Sequence, residues 1–328
     1  MWSVGLDRAR RVLVAGHRGL VGSAVVRELT RAGFSDVVGC SSAEVDLQNR
    51  TAVFGLLDQL RPTVVIDAAA RVGGILANDS APADFLSENL QIQVNLMDAA
   101  AAVGVPRLLF LGSSCIYPRD APQPIREDSL MTGPLEPTND AYAVAKIAGI
   151  QQVRAVRRQH GLAWISAMPT NLYGPGDNFD PVGSHVLPAL IRRFTEAVDS
   201  GAGEVVLWGT GTPRREFLHV DDLAAACLVL LERYDSAGPV NVGTGSDLPI
   251  RELAGIVADI VGFTGRIVTD PTKPDGTPRK VLDVSRIAAL GWQPRIGLRE
   301  GIASTWEWYR RNRGAPLATS ARPAGSPS

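Results

Sequence analysis

Val12-Leu13-Val14-Ala15-Gly16-His17-Arg18-Gly19-Leu20-Val21-Gly22 is the stretch on which the fold turns. A short, β-branched-rich run at 11–15 has the composition of a buried strand. Three glycines then follow in G-x-x-G-x-x-G spacing. Residues 23–32 read as a helix stopped by Gly33. A glycine turn between a strand and a helix is the context that gives this spacing its meaning. Glycines let the backbone approach a pyrophosphate, and the helix N-terminus supplies free amides and a favourable dipole. Gly16, Gly19 and Gly22, with Leu20 and Val21 between them, are therefore predicted to hold a dinucleotide. The alternative is a tight strand-to-helix turn that binds nothing.

Working outward, strands and helices alternate. Strands are predicted from 37, at 63–70, 107–112 and 163–168, and helices at 51–59, 82–103 and 140–159. The run at 63–70 is continuously apolar, as in a strand covered on both faces. This alternation predicts an α/β protein with a doubly wound parallel sheet. From about residue 175 Gly, Pro, Asp and Asn cluster. A smaller C-terminal α/β part then reads as helices at 184–199, 219–233 and 249–262, strands at 205–208 and 239–242, loop with short strands at 266–283, and an amphipathic run at 303–312. The expected division is a dinucleotide-binding domain at 8–178 and 215–247, a substrate domain at 179–214 and 248–313, and a disordered Ala-, Pro- and Ser-rich tail at 314–328.

Composition bounds the function. The 328 residues are 45% hydrophobic and 20% charged, and the net charge of −1 excludes nucleic acid or an anionic membrane as a bulk electrostatic partner. No apolar run approaches the ~18–20 residues of a membrane span, and the N-terminal run is too short for a signal-peptide core. Three scattered cysteines give neither a disulfide framework nor a metal-type spacing, so no metal is expected and a reducing, cytoplasmic location is.

A ribose-binding acid belongs near the end of the second strand. Gly39-Cys40-Ser41-Ser42 stands there, with no acid until Glu44. That permits a 2′-phosphate, with Arg18 as its ion-pair partner and Ser41 and Ser42 as donors, and favours NADP(H) over NAD. Arg18 as a solvated loop residue is the alternative.

Tyr142 and Lys146 are spaced i, i+4, on one helix face. The lysine is expected to lower the phenol's pKa, so that Tyr142 exchanges a proton with a carbonyl oxygen. Lys146 can also reach the nicotinamide ribose. Ser113 or Ser114, at a strand end, would hold the substrate oxygen. Cys115 lies just beyond, at the sheet edge where ligands bind, whereas Cys40 and Cys227 read as core residues. His185, in Gly183-Ser184-His185, is either a helix cap or a second proton carrier. A thiol and an imidazole suit the acidic carbons flanking a ketone, C3 and C5 in a 4-keto sugar.

These segments together carry a resemblance. The glycine loop, Ser113-Ser114-Cys115-Ile116-Tyr117-Pro118, residues 135–139, 142–149 and 168–175, Arg215-Glu216-Phe217-Leu218-His219-Val220-Asp221-Asp222 and Lys273–Lys280 resemble the GDP-L-fucose synthases. These are extended short-chain dehydrogenase/reductases with a Rossmann fold, also called GDP-4-keto-6-deoxy-D-mannose 3,5-epimerase-4-reductases. The likeness spans roughly residues 10–313. It implies that Cys115 and His185 are the epimerisation pair, with Cys115 as base and His185 as acid. It also implies that Tyr142, Lys146 and Ser113 serve reduction at C4 by NADPH. Pro169, Asn171, Leu172 and His185 would add cofactor contacts, and Asn171, Arg193, Trp208, Arg215 and Lys280 would line the GDP-sugar site. Trp208 is equally plausible as core. A homodimer through helices 82–103 and 140–159 is implied as well. The chain departs from the family pattern at Cys40-Ser41-Ser42, where arginine is expected, which predicts weaker discrimination against NAD. The competing readings are a nucleotide-sugar 4-epimerase or 4-reductase acting on another GDP- or UDP-sugar, and a non-catalytic dinucleotide-sensing protein on the same fold.

Overall fold

The computed structural model describes residues 6–313 except Val182 and Pro274. The tail expected to be disordered, 314–328, lies outside the described residues. The first half runs β1 (Val12–Ala15), α1 (Leu20–Arg31), β2 (Val37–Val38), α2 (Arg50–Leu60), β3 (Val64–Asp67), α3 (Ile75–Ser80), α4 (Pro82–Ala102), β4 (Arg107–Leu111), α5 (Asp140–His160) and β5 (Ile165–Pro169). Then come β6 (Asn171–Tyr173), α6 (Val186–Ser200), β7 (Glu204–Trp208), β8 (Arg214–Arg215), β9 (Phe217–His219), α7 (Val220–Arg233) and β10 (Val240–Val242). The chain ends with β11 (Leu248–Pro249), α8 (Ile250–Val261), β12 (Arg266–Asp270), β13 (Arg279–Lys280), α9 (Ser285–Ala288) and α10 (Leu298–Asn312). No described helix is long and apolar enough to cross a membrane.

Six strands form one parallel sheet in the order β10-β5-β4-β3-β1-β2. Its central strands are buried at every position, which is why they read as apolar runs broken only by the buried Asp67 and Arg107. Helices cover both faces. Val12, Val14, Ile66 and Leu109 pack towards α1 and α7, whereas Leu13, Val65 and Phe110 pack towards α2, α4 and α5. The expected doubly wound sheet is therefore present. A third core joins Leu187, Ile191 and Phe194 of α6 to Leu253 and Val257 of α8 and to Val205 and Leu207 of β7.

After β2 the chain crosses back to lay β3 on the other side of β1. This reversal opens a crevice at the carboxyl ends of β1 and β3, where ligands of such sheets bind. The predicted boundaries move where that crevice forms. The run at 63–70 is a strand only over Val64–Asp67, because Ala68 and Ala69 leave the ladder to pass against Gly16. α1 starts at Leu20 rather than 23, since Gly19 takes the extended N-cap conformation directly after the turn. Likewise α6 starts at Val186, with His185 as its N-cap. α3 and the two-residue strands β8, β11 and β13 are too short to show a period in sequence.

Candidate active site

The glycine turn is built for close approach. Gly16 has φ +76, and a β-carbon there would stand 2.7 Å from the Ala68 carbonyl oxygen. One on Gly22 would stand 2.1 Å from the Gly16 carbonyl oxygen. Gly19, by contrast, meets nothing nearer than 3.4 Å. Gly19 caps α1 without a side-chain bond, so the first amides of the helix, around Leu20, Val21 and Gly22, are left for a ligand. Those features fit a dinucleotide pyrophosphate. At the ribose end Arg18 is exposed. The N–H and hydroxyl of Ser41 both bond the Glu44 carboxylate, each at 2.7 Å. These bonds, with Arg18 and His17 nearby, hold the Glu44 carboxyl below its ordinary range. Ser41, expected from sequence to donate to a 2′-phosphate, therefore holds an acid three residues beyond it.

The reacting groups gather where β4 ends. Ser113 caps the 3-10 turn Ser114–Ile116 by accepting the Cys115 N–H at 3.2 Å. Tyr142, on the first turns of α5, hydrogen-bonds the Ser113 side chain, and Phe85 packs edge-on against its ring at 6.5 Å. Ser114 is buried, which leaves Ser113 as the hydroxyl beside Tyr142. Lys146 is buried and donates to the Leu111 carbonyl at 3.1 Å. Its ammonium lies 5.9 Å from the Tyr142 ring centroid and 4.9 Å from that of Phe110.

The expected lowering of Tyr142 by Lys146 is not what the geometry gives. Burial, and then a negative charge on Cys115, push the phenol well above its usual range, and the Ser113 bond opposes them only in part. Tyr142 is thus kept protonated, the form a proton donor requires. Desolvation lowers Lys146, and the buried Asp67 opposes that.

Cys115 is the reverse case. Burial would raise its thiol, but Lys280, the Ser113 side chain and Arg215 outweigh burial and hold it below its ordinary value. Lys280 Nζ lies 3.5 Å from the sulfur, and Asn139 Nδ2 lies 3.4 Å from it. Lys280 is aligned with Arg215 by the β13–β8 pairing. Glu216, fully buried, fixes this region by accepting the Leu282 and Gly245 amides at 2.9 and 2.7 Å, and Asn171 donates to its carbonyl at 2.8 Å. A thiolate-stabilising cation pair therefore faces the protonated phenol across Ser113.

His185 sits at the start of α6 with its imidazole free of any cap bond. Desolvation lowers its pKa, an effect that solvent reaching this exposed side chain discounts. Pro169 ends β5, and Leu172 lies on β6 beside Asn171. Arg193 donates to the Val206 carbonyl. Trp208 is 53% exposed, with the Lys273 ammonium 5.9 Å from its ring, so it is not a core residue. Among the described residues no hydrogen bond ties Arg193 or Trp208 to the Cys115 group. Asn139, Asp67 and Glu44 were not picked out from sequence. Asp67 did leave a signal, a lone acid ending an apolar run; Asn139 left none beyond its place in the 135–139 segment.

A parallel sheet with a glycine cradle at its switch point, and a Tyr-Lys pair beside a strand-end serine, defines a nicotinamide-dependent oxidoreductase of the extended short-chain class. The chain belongs to the NAD dependent epimerase/dehydratase family, whose profile matches residues 12–243, and within it to the GDP-L-fucose synthases. It is 58% identical over 306 residues to GDP-L-fucose synthase 1 of Arabidopsis thaliana, covering 93% of this chain and 95% of that one. It is 51% identical over 312 residues to GDP-L-fucose synthase of Escherichia coli (strain K12), covering 92% and 97%. The fold matches the crystal structure of a GDP-L-fucose synthetase from Naegleria fowleri bound to NADP with a TM-score of 0.88, at 29% identity and 95% and 96% coverage.

Proposed function

We infer that this chain converts GDP-4-keto-6-deoxy-D-mannose to GDP-L-fucose, by epimerisation at C3 and C5 and then NADPH-dependent reduction at C4. The observation that carries the reading is the pairing of a cation-stabilised thiol with a proton-retaining phenol through one serine, Ser113. The C4 ketone makes the protons on C3 and C5 acidic. Cys115 Sγ, charged and flanked by Lys280 and Asn139, removes such a proton. Negative charge then gathers on O4, where the Tyr142 and Ser113 hydroxyls stabilise it. His185 returns a proton from the other side of the ring, and the carbon inverts. After both inversions Tyr142 gives its proton to O4, while the Lys146 ammonium balances the charge left on the phenol oxygen.

NADPH, when bound on the glycine cradle, supplies the hydride for C4. Gly16, Gly19, Leu20, Val21 and Gly22 would hold its pyrophosphate and Arg18 and Ser41 its 2′-phosphate. Lys146, Pro169, Asn171, Leu172 and His185 would hold its nicotinamide half. Arg215 and Arg193 suit the GDP diphosphate, because a guanidinium pairs bidentately with its oxygens; Asn171, Trp208 and Lys280 would complete the sugar-nucleotide site. The cofactor-binding part is assigned to 8–178 and 215–247 and the sugar-binding part to 179–214 and 248–313. A homodimer through α4 and α5 and a cytoplasmic location belong to the same proposal.

Two variants test the division of labour. Cys115→Ser is expected to stop epimerisation while leaving hydride transfer possible, so any reduced sugar keeps the unepimerised configuration. Tyr142→Phe is expected to lose about a hundredfold or more of NADPH oxidation, yet still exchange substrate C–H for deuterium. A fully active Cys115→Ser protein would remove the thiol from the mechanism.

A further inference from the structure

The loop leaving β3 packs backbone to backbone against the segment that carries His185. Gly74 donates its N–H to the Gly183 carbonyl at 3.1 Å. A β-carbon on Gly74 would stand 2.8 Å from the Ser184 carbonyl oxygen, a separation that real β-carbons essentially never show. The Gly74 backbone is ordinary, with φ −67 and ψ 179, so the neighbour and not the conformation excludes a side chain. From the other side Asn78, buried, donates to the Gly73 and Gly74 carbonyls at 2.8 and 3.0 Å. Within this segment Ser184 N–H donates to the Asp180 carbonyl at 3.3 Å and Gly183 N–H to the Asp180 carboxylate at 2.8 Å. His185 follows Ser184 directly, and its ring carries no cap bond.

We propose that Gly74, fixed by Asn78, is a positioning residue for His185: it sets how far the α6 N-terminus stands from the sheet edge that carries Cys115. The proposal rests on the acid/base assignment above. Once Cys115 has removed a proton, the carbanionic carbon has two fates. A proton returned by Cys115 restores the starting sugar, and one delivered by His185 inverts the centre. In both cases one proton leaves carbon and one comes back, and solvent resets the thiol and imidazole. Displacing His185 alone therefore shifts the partition towards return.

The test uses the full chain with GDP-4-keto-6-deoxy-D-mannose and NADPH in D2O, reading deuterium in the recovered starting sugar against GDP-L-fucose formed. Gly74→Ala is expected to raise that ratio on the order of tenfold, the scale on which a small displacement of a catalytic group acts. Asn78→Ala, which loosens the loop without a clash, is expected to raise it less, and it carries the test if Gly74→Ala does not fold. Exchange and turnover falling in proportion, or an unchanged ratio, in the folded variant would overturn the positioning role. Wild-type protein that neither exchanges nor inverts would overturn the acid/base assignment instead, and the positioning role with it.

Discussion

At the scale of single residues, two groups that meet at Ser113 stand in opposing charge environments. Cys115 faces Lys280 and Arg215, whereas Tyr142 faces burial and the thiolate, so one group loses its proton easily and the other keeps it. Glu44 bears on the expected 2′-phosphate contacts. Its carboxylate occupies both donors of Ser41, which a 2′-phosphate would need. Glu44→Gln is expected to raise kcat/KM for NADPH relative to NADH several-fold, most clearly at low salt; an unchanged ratio in side-by-side kinetics would show that NADP binds without meeting this carboxylate.

Asp67 is the other unexpected acid. Burial raises its carboxyl from 3.8 to about 6, with Lys146 and the Ala69 amide offsetting only part. A folded pKa above the unfolded one means that its contribution to stability is present below pH 4 and is lost as pH rises through about 6. Asp67→Asn should therefore gain stability over the wild type between pH 4 and pH 7, by about 3 kcal/mol at most. Urea titrations at pH 5 and pH 8 giving the same difference would contradict this. Such partners are formed by side chains distant in sequence, so the motif residues were legible and their charge environments were not.

Secondary-structure elements were legible in proportion to their length. The central strands and α4 and α5 follow directly from apolar runs and helical spacing. α3, β8, β11 and β13 do not, because two to six residues hold no period. The cost of missing them falls on function, since β8 and β13 align Arg215 with Lys280 and Gly74 caps α3. α4 and α5 lie side by side, joined by Gln93 to the Ala145 carbonyl at 2.6 Å and Gln152 to Asp98 at 2.9 Å. Away from the sheet they carry partly exposed Leu86, Leu90 and Val94 and exposed Val144. Two copies of this pair would close a four-helix interface. Sedimentation equilibrium should find a dimer at micromolar concentration and a monomer for Val144→Glu; a monomeric wild type would dismiss the interface.

At the scale of the whole molecule, the six-stranded parallel sheet is joined to a second core built from α6, α8 and β7. Ser113 and Cys115 come from the turn after β4, Tyr142 from the start of α5, and His185 from the N-cap of α6. The proposed inversion needs proton carriers on two sides of one carbon, the roles assigned above to Cys115 and His185. The direct measurement is turnover of GDP-4-keto-6-deoxy-D-mannose with NADPH in D2O, followed by NMR of the product. Two stages in one site predict GDP-L-fucose carrying deuterium at both C3 and C5. A reduced sugar with no deuterium at either carbon would contradict them and leave a plain 4-reductase.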